Sequence, residues 1–177
     1  MSVSVSPQEF HYVAFDADLI QRVAEELLSS LGLADRDVHI EVDETTPLAR
    51  MRVEIGETIS IRVESGAFED TKRPRQQSET TTATSLGRVL LRARDRLTGG
   101  FGDAPPDDEL SLAQMAAWEA YCVGRLERLG VPVNQQRWRY NFRNRHGFTD
   151  QVDIAFDRLW ASDALTWADL RAISADS

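Results

Sequence analysis

Three short runs in the first half of the chain alternate apolar with polar residues. They are residues 38–43, 51–55 and 59–63. Strict alternation is typical of β-strands with one buried face, because successive side chains point to opposite sides of a sheet. A three-residue loop between the last two runs keeps their apolar residues on one face. It pairs Ile55 with Ile59, Val53 with Ile61 and Met51 with Val63.

Apolar residues at helical spacing predict helices before and after these strands. The predicted helices cover residues 17–31, 85–98 and 111–129, with a short fourth helix that begins after Thr166. Asp16 is the predicted N-cap of the first helix, and Gly32 suits the left-handed position after its end. Two polar segments, 66–84 and 99–108, predict long loops.

A ten-residue stretch near the C-terminus, RWRYNFRNRH at 137–146, alternates arginine with aromatic residues and contains no acid. The same alternation argument predicts a strand that turns near Gly147 and pairs with residues 149–157. Helices and strands are grouped along the chain and do not alternate, which favours an α+β fold. The sequence therefore predicts a single domain, 1–177. Its antiparallel sheet has about five strands, three N-terminal and two in the C-terminal hairpin, and packs against three to four helices.

The predicted hairpin register decides which arginines have acidic partners. It places Arg137 opposite Asp157 and sets Arg139 between two acids, which predicts a cross-strand ion-pair ladder. Arg143 and Arg145 lie opposite Gln151 and Thr149 and therefore lack an acid. A guanidinium group binds carboxylate or phosphate through two hydrogen bonds, so these two residues, together with His146 at the turn, form the predicted anion site.

A second basic group lies on the helix predicted at 85–98. Arg88, Arg92 and Arg96 share one side of it, and the simplest interpretation is a solvated face. The alternative is that Arg88 and Arg92 assist the hairpin in binding an anion. Arg139 is also among the predicted binding residues.

Glu119 supports an alternative function. It projects from the apolar stripe of the helix predicted at 111–129, where an unpaired charge would be costly. A structural ion pair with an arginine is one interpretation. A small hydrolase-like or acid/base enzyme that uses Glu119 in a pocket is the other.

The order of helix, three strands and two helices also resembles small zinc metallopeptidases. That family carries HExxH on the first helix after the sheet, whereas this helix reads LGRVLLRARDRL and has no histidine. The resemblance therefore implies a metal-free descendant, with Glu119 as a relic of the site.

Composition limits the classes of partner. A net charge of −9 and a pI of about 4.8 make nucleic acid an improbable ligand. No apolar run approaches the roughly 18 residues of a membrane span. The single cysteine, Cys122, cannot form an intrachain disulfide, which favours the cytoplasm. The sequence offers no metal-ligand set and no cofactor motif.

A seam of small residues on the third helix suggests a homo-oligomer contact: Ala113, Ala117, Ala120 and Gly124.

Taken together, these patterns predict a non-catalytic cytoplasmic binding domain. Its partner is an acidic protein or a small anion, bound by Arg143, Arg145 and His146. No G-x-S-x-G elbow, P-loop or other nucleophile motif is present in the sequence, so the enzyme alternative depends on Glu119 alone.

Overall fold

The computed structural model describes residues 2–175 and shows an α+β protein. Contacts between residues divide the chain into two compact units, residues 1–93 and 94–177. The elements that begin in the first unit are β1 (Val3–Ser6), α1 (Ala17–Ser30), β2 (Asp37–Asp43), β3 (Met51–Ile55), β4 (Thr58–Glu64), β5 (Glu69–Asp70), β6 (Arg73–Gln77) and α2 (Glu79–Thr98), whose last turn lies in the second unit. The second unit adds α3 (Leu112–Arg128), α4 (Gln135–His146), α5 (Asp150–Ala161) and α6 (Trp167–Ala175).

The main sheet has four strands in the order β1-β2-β4-β3. β1 and β4 run parallel to β2, and only β3 is antiparallel to its neighbour. The prediction of a five-stranded antiparallel sheet is therefore wrong in strand number and direction. The register predicted for the hairpin formed by β3 and β4 is confirmed at all three apolar pairs, from Met51–Val63 to Ile55–Ile59.

The first helix forms as its sequence predicts. The carboxylate of Asp16 accepts a hydrogen bond from the backbone N–H of Asp18 at 2.9 Å and caps the helix. Gly32 has φ +71°, a left-handed conformation that a residue with a side chain rarely adopts. The predicted apolar stripe is buried: Ile20, Val23, Leu27, Leu28 and Leu31.

The segment 66–84 contains more structure than a polar loop. A short 3₁₀ turn at Ser65–Ala67 leads into the β5–β6 pair, and α2 begins at Glu79, six residues earlier than the sequence predicts. Ser78 explains the earlier start, because its hydroxyl accepts a hydrogen bond from the backbone N–H of Thr81 at 3.1 Å. The segment 99–108 has no regular element before the 3₁₀ turn at Asp107–Glu109.

The predicted C-terminal β-hairpin is wrong, because both of its segments are helices, α4 and α5. The aromatic side chains do not all point to one face, as a strand would require. Phe142 is buried, Trp138 is half-buried and Tyr140 is exposed. A helix distributes residues two apart over opposite sides, and this explains the split.

The small-residue seam of α3 packs within the chain. A Cβ atom placed on Gly124 would lie 2.1 Å from the carbonyl oxygen of Trp160 on α5, so only glycine permits this approach. Ala117 and Ala120 of the same seam are also buried. The seam therefore serves the contact of α3 with α5.

Candidate functional site

The predicted anion site lies on α4, and polar caps define this helix and the next. The side-chain oxygen of Asn134 accepts a hydrogen bond from the backbone N–H of Arg137 at 3.2 Å. The hydroxyl of Thr149 does the same for Val152 at 3.2 Å. Gly147, with φ +108°, provides the change of direction between the helices. Because α4 is a helix, Arg139 and Arg143, which are four residues apart, share one side of it.

Two of the predicted binding residues are engaged by α5. Arg143 donates from Nε and Nη2 to the two carboxylate oxygens of Asp153, at 2.8 and 2.7 Å. Arg139 donates to Asp157 at 2.6 Å and lies 3.6 Å from Asp153. Its guanidinium carbon is also 4.6 Å from the centre of the Phe156 ring. An ion-pair ladder thus exists, but it joins two helices and includes Arg143, which the predicted strand register left without an acid.

These hydrogen bonds affect the titration of both partners in the bidentate pair. The hydrogen bonds from Arg143 lower the pKa of the Asp153 carboxyl below its usual value. The same contact raises the pKa of Arg143. Both groups therefore remain charged at neutral pH.

His146 is buried at the end of α4. Its Nε2 lies 2.9 Å from the carbonyl oxygen of Ala113 on α3 and must carry the proton, because a carbonyl oxygen only accepts. The imidazole stacks on Phe142 with 4.0 Å between ring centres. Burial lowers the pKa of His146 below its usual value. In this arrangement His146 holds α4 against α3.

A different side of α4 is open to solvent. It consists of Arg137, Tyr140, Asn144 and Arg145 of α4 together with Phe148, two residues after the helix ends, all exposed, and is called the α4 face below. Tyr140 is 59% exposed and Phe148 is 63% exposed. Their ring centres are 6.0 Å apart at an interplanar angle of 67°, an edge-to-face contact. Within residues 2–175, no acidic side chain forms an ion pair with Arg137 or Arg145.

The arginines of α2 do not form the solvated face that the sequence suggested. Arg92 is 1% exposed, and Arg96 donates to Asp107 at 2.8 Å. Arg88 is half-buried and lies 3.4 Å from the Ser85 hydroxyl. Arg88 and Arg92 each have further interactions, so neither is a free cation.

Glu119, the residue on which the enzyme alternative depends, is half-buried and has an interacting partner. It does not line the cleft that lies in residues 94–177, nor either of the two shallow depressions on the polar side of the main sheet. These three clefts therefore give the acid/base interpretation no support.

Sequence reasoning missed a buried polar network in the second unit. The guanidinium of Arg125 donates two hydrogen bonds to the carboxylate of Asp95, at 2.7 and 2.8 Å. The indole N–H of Trp118 donates to the same carboxylate at 2.8 Å. Burial is the largest single effect and lowers the pKa of Arg125, but the hydrogen bonds to Asp95 and the charge interactions with Cys122, Asp95 and Tyr121 together outweigh it and raise the pKa above its usual value. An aspartate and an arginine on helices that are distant in sequence give no local signal of this contact.

Residues 2–175 contain neither a metal-ligand cluster nor a membrane-spanning helix. No three His, Cys, Asp or Glu side chains are grouped so that they could hold a metal ion. None of the helices in that range is both long enough and apolar enough to cross a bilayer.

Comparison of the chain with protein-family models, curated proteins and solved structures finds no match.

Proposed function

We propose that this chain is a binding domain that engages an acidic protein partner through the α4 face. The observation that supports it is the exposed Tyr140–Phe148 pair between two arginines, Arg137 and Arg145, that have no acidic partner within residues 2–175. Aromatic residues and arginine are the side chains that contribute most to binding energy at protein interfaces.

The spacing favours an extended partner over a small anion. Arg137 and Arg145 are eight residues apart on one helix, which corresponds to about 12 Å along its axis. A single phosphate or carboxylate held by these arginines would leave the exposed Tyr140–Phe148 pair without a contact. A peptide or protein surface with two acidic groups and an apolar side chain between them can contact both arginines and the aromatic pair.

The rest of α4 provides a rigid support for this face. The bidentate Arg143–Asp153 pair and the buried His146 hold the helix on α5 and α3. Arg139, Arg143 and His146 are therefore positioning residues in this proposal, and Arg145 alone of the originally predicted hairpin residues contacts the partner. A preorganised surface loses less conformational entropy on binding.

Binding of a synthetic acidic peptide tests the proposal. The probe contains two glutamates separated by apolar residues, and its control has glutamine in place of glutamate. We expect the acidic peptide to bind, the glutamine peptide to bind much more weakly, and added salt to reduce the difference. The double variant Arg137→Glu/Arg145→Glu should lower the affinity about tenfold or more, since two attractive contacts become repulsive.

A matched control changes the net charge by the same amount at other exposed positions. Lys72→Glu/Arg171→Glu reverses two charges outside the α4 face and should leave the affinity nearly unchanged. An equal loss of binding in both double variants would show that only the overall charge matters and would refute the proposal. Inorganic phosphate that saturates Arg145 and displaces the peptide completely would also contradict an extended partner.

A further inference from the structure

A cleft of about 330 Å³ lies within the second unit, separate from the α4 face. The end of α2 contributes Arg94 and Thr98, α3 contributes Tyr121, and the segment before α6 contributes Ala164 and Leu165. Its volume is at the lower end of the range for small-molecule sites in proteins.

A close contact between two loops forms one wall of the cleft. Gly100 and Thr166 form an isolated parallel bridge, and the backbone N–H of Trp167 donates to the carbonyl of Gly100 at 2.8 Å. A Cβ atom on Gly100 would lie 2.8 Å from the Thr166 methyl group, so the loops approach this closely because residue 100 has no side chain. The wall is thus fixed by backbone contacts.

The phenol of Tyr121 has an unused donor in this cleft. Its oxygen accepts a hydrogen bond from the backbone N–H of Leu165 at 3.2 Å. Tyr121 is 2% exposed, and no acceptor for its own hydroxyl proton is found within residues 2–175. A buried donor without an acceptor is costly, so a ligand that accepts this hydrogen bond is stabilised by it. Burial raises the pKa of the phenol, so it keeps its proton at neutral pH.

The charges around the cleft leave one cation available. Arg125 lines the cleft but donates to both oxygens of Asp95 and to the carbonyl of Tyr121. Asp163 at the rim pairs with Arg128 at 2.8 Å. Arg94 is exposed and forms no ion pair within residues 2–175. Arg94 and the Tyr121 hydroxyl are therefore two hydrogen-bond donors of the cleft for which residues 2–175 supply no acidic partner.

We propose that this cleft binds a small organic carboxylate. The guanidinium of Arg94 holds the carboxylate, the Tyr121 hydroxyl donates to an acceptor on the ligand, and Ala164 and Leu165 contact its apolar part. A planar guanidinium matches the two oxygens of a carboxylate. This inference is independent of the α4 face.

Titration of the full chain with benzoate, followed by amide chemical shifts, tests the inference. Benzoate supplies a carboxylate on an apolar ring, and benzamide is its neutral isostere. We expect benzoate to shift the amides of Gly100, Leu165 and Thr166 saturably with a dissociation constant of about 1 mM. Benzamide should cause no saturable shift. Absence of saturable benzoate shifts, or equal binding of benzamide, would overturn the inference.

Two variants test the contributions of the Tyr121 hydroxyl and the Arg94 guanidinium separately. Tyr121→Phe keeps the ring and removes only the hydroxyl, and Arg94→Gln removes the charge at an exposed position. Each should weaken benzoate binding about tenfold. Arg171→Gln removes an exposed arginine of α6, which does not line the cleft, and should bind benzoate as the parent chain does. Unchanged thermal unfolding of Tyr121→Phe would show that loss of binding is not loss of folding.

Inorganic phosphate gives a further contrast. It can be held by Arg94 but has no apolar part to contact Ala164 and Leu165. Phosphate binding as tight as benzoate binding, with no dependence on Tyr121, would mean a simple surface cation and would refute the two-anchor site.

Discussion

At the residue scale, the main energetic feature is the buried pair of Asp95 and Arg125. Their side chains are 6% and 7% exposed. Every nitrogen of the Arg125 guanidinium has an acceptor, and the Asp95 carboxylate also accepts from Trp118. Desolvation of two charges is offset only when such hydrogen bonds are complete. The pair therefore fixes how the end of α2 and α3 pack, and loss of either charge leaves the other unbalanced.

We expect Asp95→Asn to lower the free energy of unfolding by about 3–5 kcal/mol, because a buried guanidinium would lose its counter-charge. Urea unfolding followed by tryptophan fluorescence measures it, since all four tryptophans, residues 118, 138, 160 and 167, lie in the second unit. The control is Asp163→Asn, which removes the partner of Arg128 at a side chain that is 70% exposed. It should change the free energy of unfolding by less than about 1 kcal/mol. Equal effects of the two variants would contradict this account.

At the element scale, the instructive error concerns α4 and α5. Alternation of arginine and aromatic residues predicted a strand, but the caps of a helix were present in the same sequence. Asn134 and Thr149 are good N-cap residues, and Gly147 suits the position after a helix end. The segments are twelve residues each, long for average strands. Length and caps were the better signals here. On a strand, Trp138 and Tyr140 would point to the same face, whereas on a helix they point to different sides, as the structure shows.

Replacement of the Thr149 cap tests the helical assignment of α5. Thr149→Ala should lower the free energy of unfolding by about 1 kcal/mol, because the N–H of Val152 loses its acceptor. Thr149→Ser keeps the hydroxyl and should retain most of the stability. Backbone carbon chemical shifts of residues 135–146 and 150–161 should be helical in all three proteins. Strand-like shifts there would contradict the architecture described above.

At the scale of the whole molecule, charge is distributed unevenly. The chain has a net charge of −9, yet α4 carries four arginines and no acid. Two of those arginines are balanced by α5, and the other two face solvent on the α4 face. The overall negative charge disfavours broad binding to nucleic acid. The local basic surface can still bind an acidic partner.

The stability of the second unit should depend on pH through His146. Its pKa in the folded protein lies below the usual 6.5, so the unfolded chain takes up the proton first as the pH falls. The stabilisation from the neutral imidazole is complete above pH 6.5 and decreases as the pH falls toward the folded-state pKa. Urea midpoints measured from tryptophan fluorescence should fall over this range in the parent chain.

Two glutamine variants make the pH experiment specific. His146→Gln keeps a donor for Ala113 and should remove this part of the pH dependence. His11→Gln changes an exposed histidine of the first unit and should leave the dependence intact. A pH profile that is unaltered by His146→Gln would refute the assignment. At lower pH a further loss is expected, since the lowered pKa of Asp153 contributes stability that disappears below about pH 3.8.

The sequence by itself determined the local elements whose signals agree with one another. In α1 the apolar stripe, the Asp16 cap and Gly32 all indicate the same bounds, and in β3 and β4 the alternation permits one register. Thr166 and Asp169 cap α6 in the same way, with the carboxylate of Asp169 accepting from the backbone N–H of Thr166 at 2.9 Å. These features depend on residues within a few positions of each other, and a one-residue shift would expose the apolar side chains.

Only the tertiary structure decided strand order, the partners of charged residues and the location of clefts. β1 joins the sheet through β2, far along the chain, and Arg125 meets Asp95 across thirty positions. The Tyr121 donor and the Arg94 cation belong to one cleft only because α2, α3 and the segment before α6 pack together. Such contacts form because the folded chain as a whole buries apolar surface contributed by many residues. No short sequence pattern specifies which distant residues then meet.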